Sequence, residues 1–445
     1  MPLPLLVRNA TILTMNDAFD EFEGDVLIED GRIAAVGPVP APPGATTIDA
    51  GGDYLLPGFV QTHIHLCQTL FRGYADDMAL LDWLRARVWP LEAAHTPRSL
   101  AAAASLAAAE LVQGGTTAVL TMETVHDTDA VFEALEPTGL RAVVGKCMMD
   151  EAGEGVPARL REATRASIDE GLALASRWNG RGQGRLRAAL APRFAVSCTR
   201  ELLEEVSRLS REHGLLVHSH ASENRDEIAL VLQRTGMRNI EYLAATGLAA
   251  PHVCLAHCVW VNDGEQALLA EGDVKVLHCP GSNLKLGSGL APVAEMRRRG
   301  ISVSLGADGA ACNNRLDMFQ EMRLAATLQA VRRGPGSLSA RETLAMATRE
   351  GARALGLGHR IGTVETGKHA DLILVRRSAP HVAPDPDPYA TLVYAATPSD
   401  VRTVIVDGDV LVDEGRPTRW DPAEIAATAR TEAHALAARA GLRWR

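Results

Sequence analysis

Five residues able to bind a cation, His65, His220, His257, His278 and Asp308, each stand at or just past the carboxyl end of a different short apolar run. In a parallel barrel of strands those ends converge on one face, where catalytic groups gather. The separations after His220 are 37, 21 and 30 residues, compatible with one strand-helix unit each, the middle one leaving room for only a short helix. His63 and His65 lie two residues apart on a strand, so both imidazoles leave the same side of the sheet and can reach one ion. One histidine on a strand is ordinarily a packed core residue, but an aligned set of five is not explained that way. Imidazole nitrogens with a carboxylate oxygen suit zinc, or iron and other borderline divalent ions, better than calcium or magnesium. Three histidines and one aspartate around such an ion leave a position open for water and activate it at neutral pH.

Hydrolytic chemistry at that centre also needs groups that move protons. Glu223 follows His220 by three residues in HASE and is placed to deliver a proton. The bland reading of Glu223 is a carboxylate stabilised by the dipole of the helix that NRDEIAL begins. Asp308 can take a proton from water and pass it to a leaving group, and His278 can orient the nucleophile. His218 shares the face of His220, so it is an alternative ligand, whereas Ser219 points away. The His-x-x-Glu spacing favours His220.

Eight short β-type runs separated by helical patterns must position these groups: 55–65, 116–120, 140–148, 185–194, 215–220, 253–258, 274–279 and 301–308. Such alternation predicts a (β/α)8 TIM barrel, an α/β fold of roughly 250 residues. The helical patterns include SLAAAASLAAAELVQ, ELLEEVSRLSREH and NRDEIALVLQRTG. LGSGLAP follows a late strand, matches no dinucleotide fingerprint and reads as a tight turn. Alternating β-runs with Asp-Gly turns occupy residues 1 to about 55 and recur at 370–375 and 401–415, predicting a small β-sandwich built from both chain termini. The expected division is 1–56 and 361–420 for the sandwich, 57–360 for the barrel and 421–445 for a terminal helix.

A net charge of −10 with scattered Lys and Arg lacks the footprint of a phosphate-backbone binder, so nucleic acid is not an expected partner. Seven cysteines without a CxxC pair indicate neither a disulfide framework nor a thiolate metal site and fit a reducing cytoplasm. No stretch reads as an export signal or membrane span. A homo-oligomer is the expectation from general prevalence. Cys258 and Trp260 read as packing beside His257, Cys312 lacks an adjacent base, and the Met/Leu stripe of LDMFQEMRLAATLQ reads as helix core or an oligomer face.

The motifs PGFVQTHIH, GGTTAV, HASEN, LAHCVW, HCPGSNLKLGSGLAPV, LGADGAACNN and GTVETGKHADLILV resemble those of the amidohydrolase superfamily, in its purine and triazine deaminase branch, over nearly the whole chain. That resemblance implies His63, His65, His257 and Asp308 as metal ligands, His220 as a contact to metal, bound water or substrate, and Glu223 as the proton shuttle. It implies one divalent ion, zinc or iron, with no carboxylated lysine at Lys146, and loss of ammonia from a purine-type base or nucleoside. NLKLGSGLAPV and ADGAACNNRLDMFQEMRLAATLQ resemble deaminases of 5′-substituted adenosines (5′-deoxyadenosine, methylthioadenosine, S-adenosylhomocysteine), implying Trp83, Glu92 and Arg159 as substrate residues. THIHLCQ, ETVHDTD, PRFAVSC and HASENRDE resemble guanine deaminase instead, implying Gln68, Arg193 and Phe194 as base contacts. Arg193 stands where the adenosine group has histidine, the segment after Asp308 lacks the guanine-deaminase pattern, and Trp83 and Glu92 match both groups and so do not discriminate between them. Displacement of another group from a triazine is the further alternative.

Overall fold

The apolar run 55–65, expected as one strand, is folded into two. In the computed structural model, which describes residues 3–151, 153 and 155–443, Tyr54–Pro57 joins a sheet built by the chain termini and Phe59–Ile64 (β1) opens a second. Gly58 is the switch. Its amide donates to Asp371 O beside the first sheet (3.0 Å), while Phe59 N donates to Gly115 O beside the second (2.9 Å). A Cβ at position 58 would lie 2.1 Å from the Thr117 side chain, so glycine alone lets the backbones approach there.

From β1 the chain adds seven parallel strands in sequential order: Thr116–Met122 (β2), Arg141–Met148 (β3), Leu186–Pro192 (β4), Val217–Ala221 (β5), Val253–His257 (β6), Lys275–His278 (β7) and Val303–Leu305 (β8). They are the eight runs read from sequence with shifted ends: most are shorter, while Thr116–Met122 runs two residues past the expected 116–120 and Val217–Ala221 one past 215–220. β8 returns to β1, where Asp308 N donates to His63 O (2.9 Å) and Thr62 Oγ1 donates to Leu305 O (2.9 Å). Gly306 permits that closure, since a Cβ there would sit 2.6 Å from His63 N and O.

Local chemistry starts and stops the helices between strands. Thr96 caps Pro97–Gln113 and Thr199 caps Arg200–His213, each accepting a backbone N–H. Asn224 and Glu227 form a reciprocal capping box at the start of Arg225–Thr235, which ends on Gly236 in the left-handed conformation. The 21-residue gap between His257 and His278 holds the short helix Asp263–Glu271. The helix Met318–Arg333 buries Met318, Phe319, Met322, Ala325 and Ala326, so the methionines of the Met/Leu stripe are core, while Leu324 and Leu328 are half-buried.

The terminal strands combine into a nine-stranded sheet in which Leu372–Val375 pairs antiparallel with Tyr54–Pro57. Asp30-Gly31 and Asp407-Gly408 turn its hairpins with positive φ at both residues of each pair. The sheet is bolted to the amino-terminal end of the barrel by buried charge. Arg141, at the start of β3, grips Asp371 with two hydrogen bonds (2.8 and 2.9 Å), and Asp407 lies 3.6 Å from both Arg141 and Arg185. Asp407 also pairs with His369 and donates its amide to Asp371 Oδ1 (2.9 Å). No helix among the described residues is long and apolar enough to cross a membrane.

Candidate metal centre and adjoining pocket

At the opposite, carboxyl-terminal end of the barrel, β1, β5, β6 and the turn after β8 aim their side chains at one point. His63 Nε2 and His65 Nε2 each lie 3.3 Å from Asp308 Oδ1, and His257 Nε2 lies 3.9 Å from Asp308 Oδ2. His220 Nε2 lies 3.2 Å from His65 Nε2. Ligand atoms of His63, His65 and His220, and of His63, His257 and Asp308, fall within 4.8 Å of one another. The backbones of His257 (φ 72°) and Asp308 (φ 62°) are left-handed, a conformation that costs a residue with a Cβ about 1 kcal/mol and is kept where surroundings impose it.

Hydrogen bonds at the far edge of each ring say which nitrogen faces the centre. His65 Nδ1 lies 2.7 Å from Met122 O, His220 Nδ1 2.6 Å from Arg193 O, and His257 Nδ1 2.9 Å from Asn283 Oδ1. Oxygen acceptors require the proton on Nδ1, so the neutral rings turn Nε2 lone pairs inward. Two such lone pairs 3.2 Å apart on His65 and His220, beside a carboxylate, repel unless a cation or proton lies among them. The nitrogen and oxygen donor set fits zinc or iron. His218 stands behind the centre: its Nε2 is 2.7 Å from His63 Nδ1, the edge of the His63 ring that faces away from Asp308.

Burial shapes the charges here. It pulls His63 down to about 4 against the opposing pull of Asp308, and holds His220 well below the ordinary imidazole value. Burial pushes Asp308 upward, but His63 and His65 override it and hold the carboxylate well below its usual range. Glu223 moves the other way, its carboxyl raised mainly by burial. Its Oε2 lies 3.6 Å from His257 Nε2, and its Oε1 accepts from Ser288 Oγ (3.2 Å).

A pocket opens on this cluster, lined by Asp308, His257 and Glu223 and by Leu80, Leu84 and Leu286. Of the residues expected to touch substrate, Gln68, Trp83, Arg193, Phe194 and His220 line it. Glu92 lies behind the wall, where Arg193 donates to it (Nη1 to Oε2 2.6 Å, Nη2 to Oε1 3.2 Å) and Gln68 Nε2 donates to Oε1 (3.0 Å). Arg159 is not among the lining residues; its side chain is 53% exposed and pairs with Asp127 at 3.1 Å. His278 is also outside the lining. It is buried, held near 3 by burial and by His257, and neither ring nitrogen has a hydrogen-bond partner among the described residues. Cys312 is buried and its thiol is pushed well above the ordinary value by burial, which removes it as a nucleophile.

Three residues escaped the sequence reading. Ser288, in the glycine loop read as a plain turn, holds Glu223, and Trp260 anchors that loop by donating to Ser288 O (2.6 Å). Glu227 lines the cavity and accepts the Glu223 amide (2.9 Å); the Asn-x-x-Glu capping spacing was its signal. Asn283 holds His257, and its position in HCPGSN carried no local hint of that contact.

Known proteins share this arrangement of chain. Residues 54–411 match the amidohydrolase family. The chain is 39% identical to the 5′-deoxyadenosine deaminase of Methanosarcina acetivorans over 98% of its own length and 99% of that protein. It is 40% identical to the 5-methylthioadenosine/S-adenosylhomocysteine deaminase of Symbiobacterium thermophilum, over 97% of this chain and 99% of the other. An adenosine deaminase from Xanthomonas campestris with bound zinc superposes with a TM-score of 0.91 at 32% identity, covering 98% and 99% of the two chains. The chain belongs to the amidohydrolase family.

Proposed function

We propose that the chain is a divalent-metal-dependent hydrolytic deaminase acting on a 5′-modified adenosine, such as 5′-deoxyadenosine, methylthioadenosine or S-adenosylhomocysteine, and releasing ammonia and the inosine analogue. The observation that carries the reading is Glu223: a buried carboxyl with a raised affinity for its proton, 3.6 Å from His257 and open to the cavity. Deamination of an amidine ring needs such a group to protonate the ring nitrogen as charge develops there.

His63, His65, His257 and Asp308 would hold the ion, zinc by the donor set and by the zinc-bound relative, with iron the other candidate and His220 alongside. The ion supplies Lewis-acid activation of water at neutral pH. Asp308, ionised in the folded chain, accepts the water proton and returns it to the departing amine. His278 and His220 orient the nucleophile, and Glu223 delivers its proton to the ring. Trp83 and Phe194 cover the apolar faces of the purine, and the closed wall around Gln68 and Arg193 keeps bulk water from the reacting carbon.

One feature favours a second reading, deamination of guanine. Both oxygens of Glu92, the carboxylate expected to receive ribose hydroxyls, already accept from Arg193 and Gln68. Ammonia release measured in parallel with 5′-deoxyadenosine, methylthioadenosine, S-adenosylhomocysteine, adenosine, guanine and 8-oxoguanine separates the two. Turnover of 5′-modified adenosines supports the first, and turnover of guanine alone replaces it with the second.

A further inference from the structure

We propose that His218 is a positioning residue that sets the tautomer of His63, and so decides which nitrogen His63 offers to a divalent ion. The inference rests on the metal-dependent reading above but not on any choice of substrate.

One line of hydrogen bonds runs inward from β2 to the centre. His218 Nδ1 lies 3.1 Å from Thr121 O on β2. A carbonyl oxygen only accepts, so the His218 proton sits on Nδ1 and its Nε2 carries the lone pair. That lone pair lies 2.7 Å from His63 Nδ1 and accepts its proton. His63 is thereby left with a bare Nε2, the atom 3.3 Å from Asp308 Oδ1. Neither ring has exposed surface, so no water competes for these contacts.

This support differs from the other three. Oxygen atoms hold Nδ1 of His65, His220 and His257, whereas His63 is held by a ring. A ring fixes direction as well as protonation: His218 packs against His63 at 4.8 Å between centroids with an interplanar angle of 90°. The same geometry removes His218 from the ligand set, because its only inward-facing nitrogen is spent on the outer edge of His63. Two residues apart on one face of β5, His218 therefore stands behind the centre against His63 and His220 stands beside it against His65.

The test compares the parent chain with His218→Leu and His218→Gln by competition for zinc against a chromophoric chelator. Leucine removes the acceptor and leaves the His63 Nδ1–H buried without a partner, whereas glutamine can accept from His63 and donate to Thr121 O. Loss of such outer support ordinarily weakens metal affinity about 10- to 100-fold, which is the expected result for leucine, with glutamine recovering most of the loss. Long-range 1H–15N spectra of the histidine-labelled, zinc-loaded parent are expected to show the His63 proton on Nδ1 and metal on Nε2. Unchanged zinc affinity in a folded His218→Leu chain overturns the proposal, as does a proton on His63 Nε2 in the parent. If leucine prevents folding, the parent spectrum alone decides. A parent that takes up no zinc or iron overturns the metal reading itself, and this proposal with it.

Discussion

The two ends of the barrel bury polar clusters of similar size under opposite rules. At the amino-terminal end, Arg141, Asp371, Asp407, Arg185 and His369 pair charge with charge, and both oxygens of Asp371 accept from the Arg141 guanidinium. At the carboxyl-terminal end, inward-facing Nε2 atoms surround one carboxylate, and among the described residues Asp308 pairs with histidines alone. The first arrangement balances charge within itself and ties two sheets together, with Arg141 Nη1 its one buried donor lacking a partner among the described residues. The second is complete only with a cation. Burial alone therefore does not mark a functional cluster; a charge imbalance that the neighbouring side chains leave unresolved does.

Metal removal breaks the comparison most strongly. Dialysis against a strong chelator is expected to drop ammonia release to background and to lower the thermal midpoint, with both restored by zinc, because binding to the folded state alone stabilises it. The charged cluster at the other end should keep the metal-free chain folded, which far-ultraviolet circular dichroism checks. Next in size is Glu223→Gln, which keeps the shape and the Ser288 contact but cannot donate a carboxyl proton. Turnover is expected to fall on the order of 100-fold or more with metal content unchanged. Near-normal rates in a metal-replete variant would remove Glu223 from the proposed chemistry.

At the opposite end, Asp371→Asn should reverse the pattern. Leaving the buried Arg141 guanidinium short of its counter-charge costs about 3 kcal/mol or more, read as a lower urea midpoint at constant slope. The kcat/KM of the folded fraction should stay at the parent value. A rate loss as large as that of Glu223→Gln would mean the two ends are coupled.

How much of this could be read from sequence follows from the range of each contact. The convergence of the histidines was legible because strand period and strand ends are local properties: His63 and His65 share a face by pleat, and His257 closes β6 as its apolar run ends. The helices Arg200–His213 and Arg225–Thr235 were legible from their local patterns, ELLEEVSRLSREH and NRDEIALVLQRTG, although their capping contacts from Thr199, Asn224 and Glu227 were not read. The break at Gly58 was not, because Thr117 forces it from 59 positions away. Glu92 and Arg193 read as separate substrate residues because nothing local reveals a pair 101 positions apart. The supports of His65 and His220 are main-chain oxygens of Met122 and Arg193, which any residue type supplies and no motif records.

The smallest expected effect sharpens the contrast most finely, because it pairs one subsidiary contact from each end. Ser288 donates the only side-chain hydrogen bond to Glu223 (3.2 Å) found among the described residues, and Arg185 lies at the margin of the other cluster, 3.6 Å from Asp407. A hydrogen bond of this kind contributes about 0.5–1.5 kcal/mol, so Ser288→Ala should slow turnover roughly three- to tenfold while moving the urea midpoint little. Arg185→Ala should do the converse, lowering the midpoint while leaving kcat/KM unchanged, since Asp407 keeps Arg141 and His369 as partners. If Ser288→Ala instead lowers stability at an unchanged rate, the glycine loop serves packing alone, and Glu223 is held by its own backbone through Glu227 rather than by that hydroxyl.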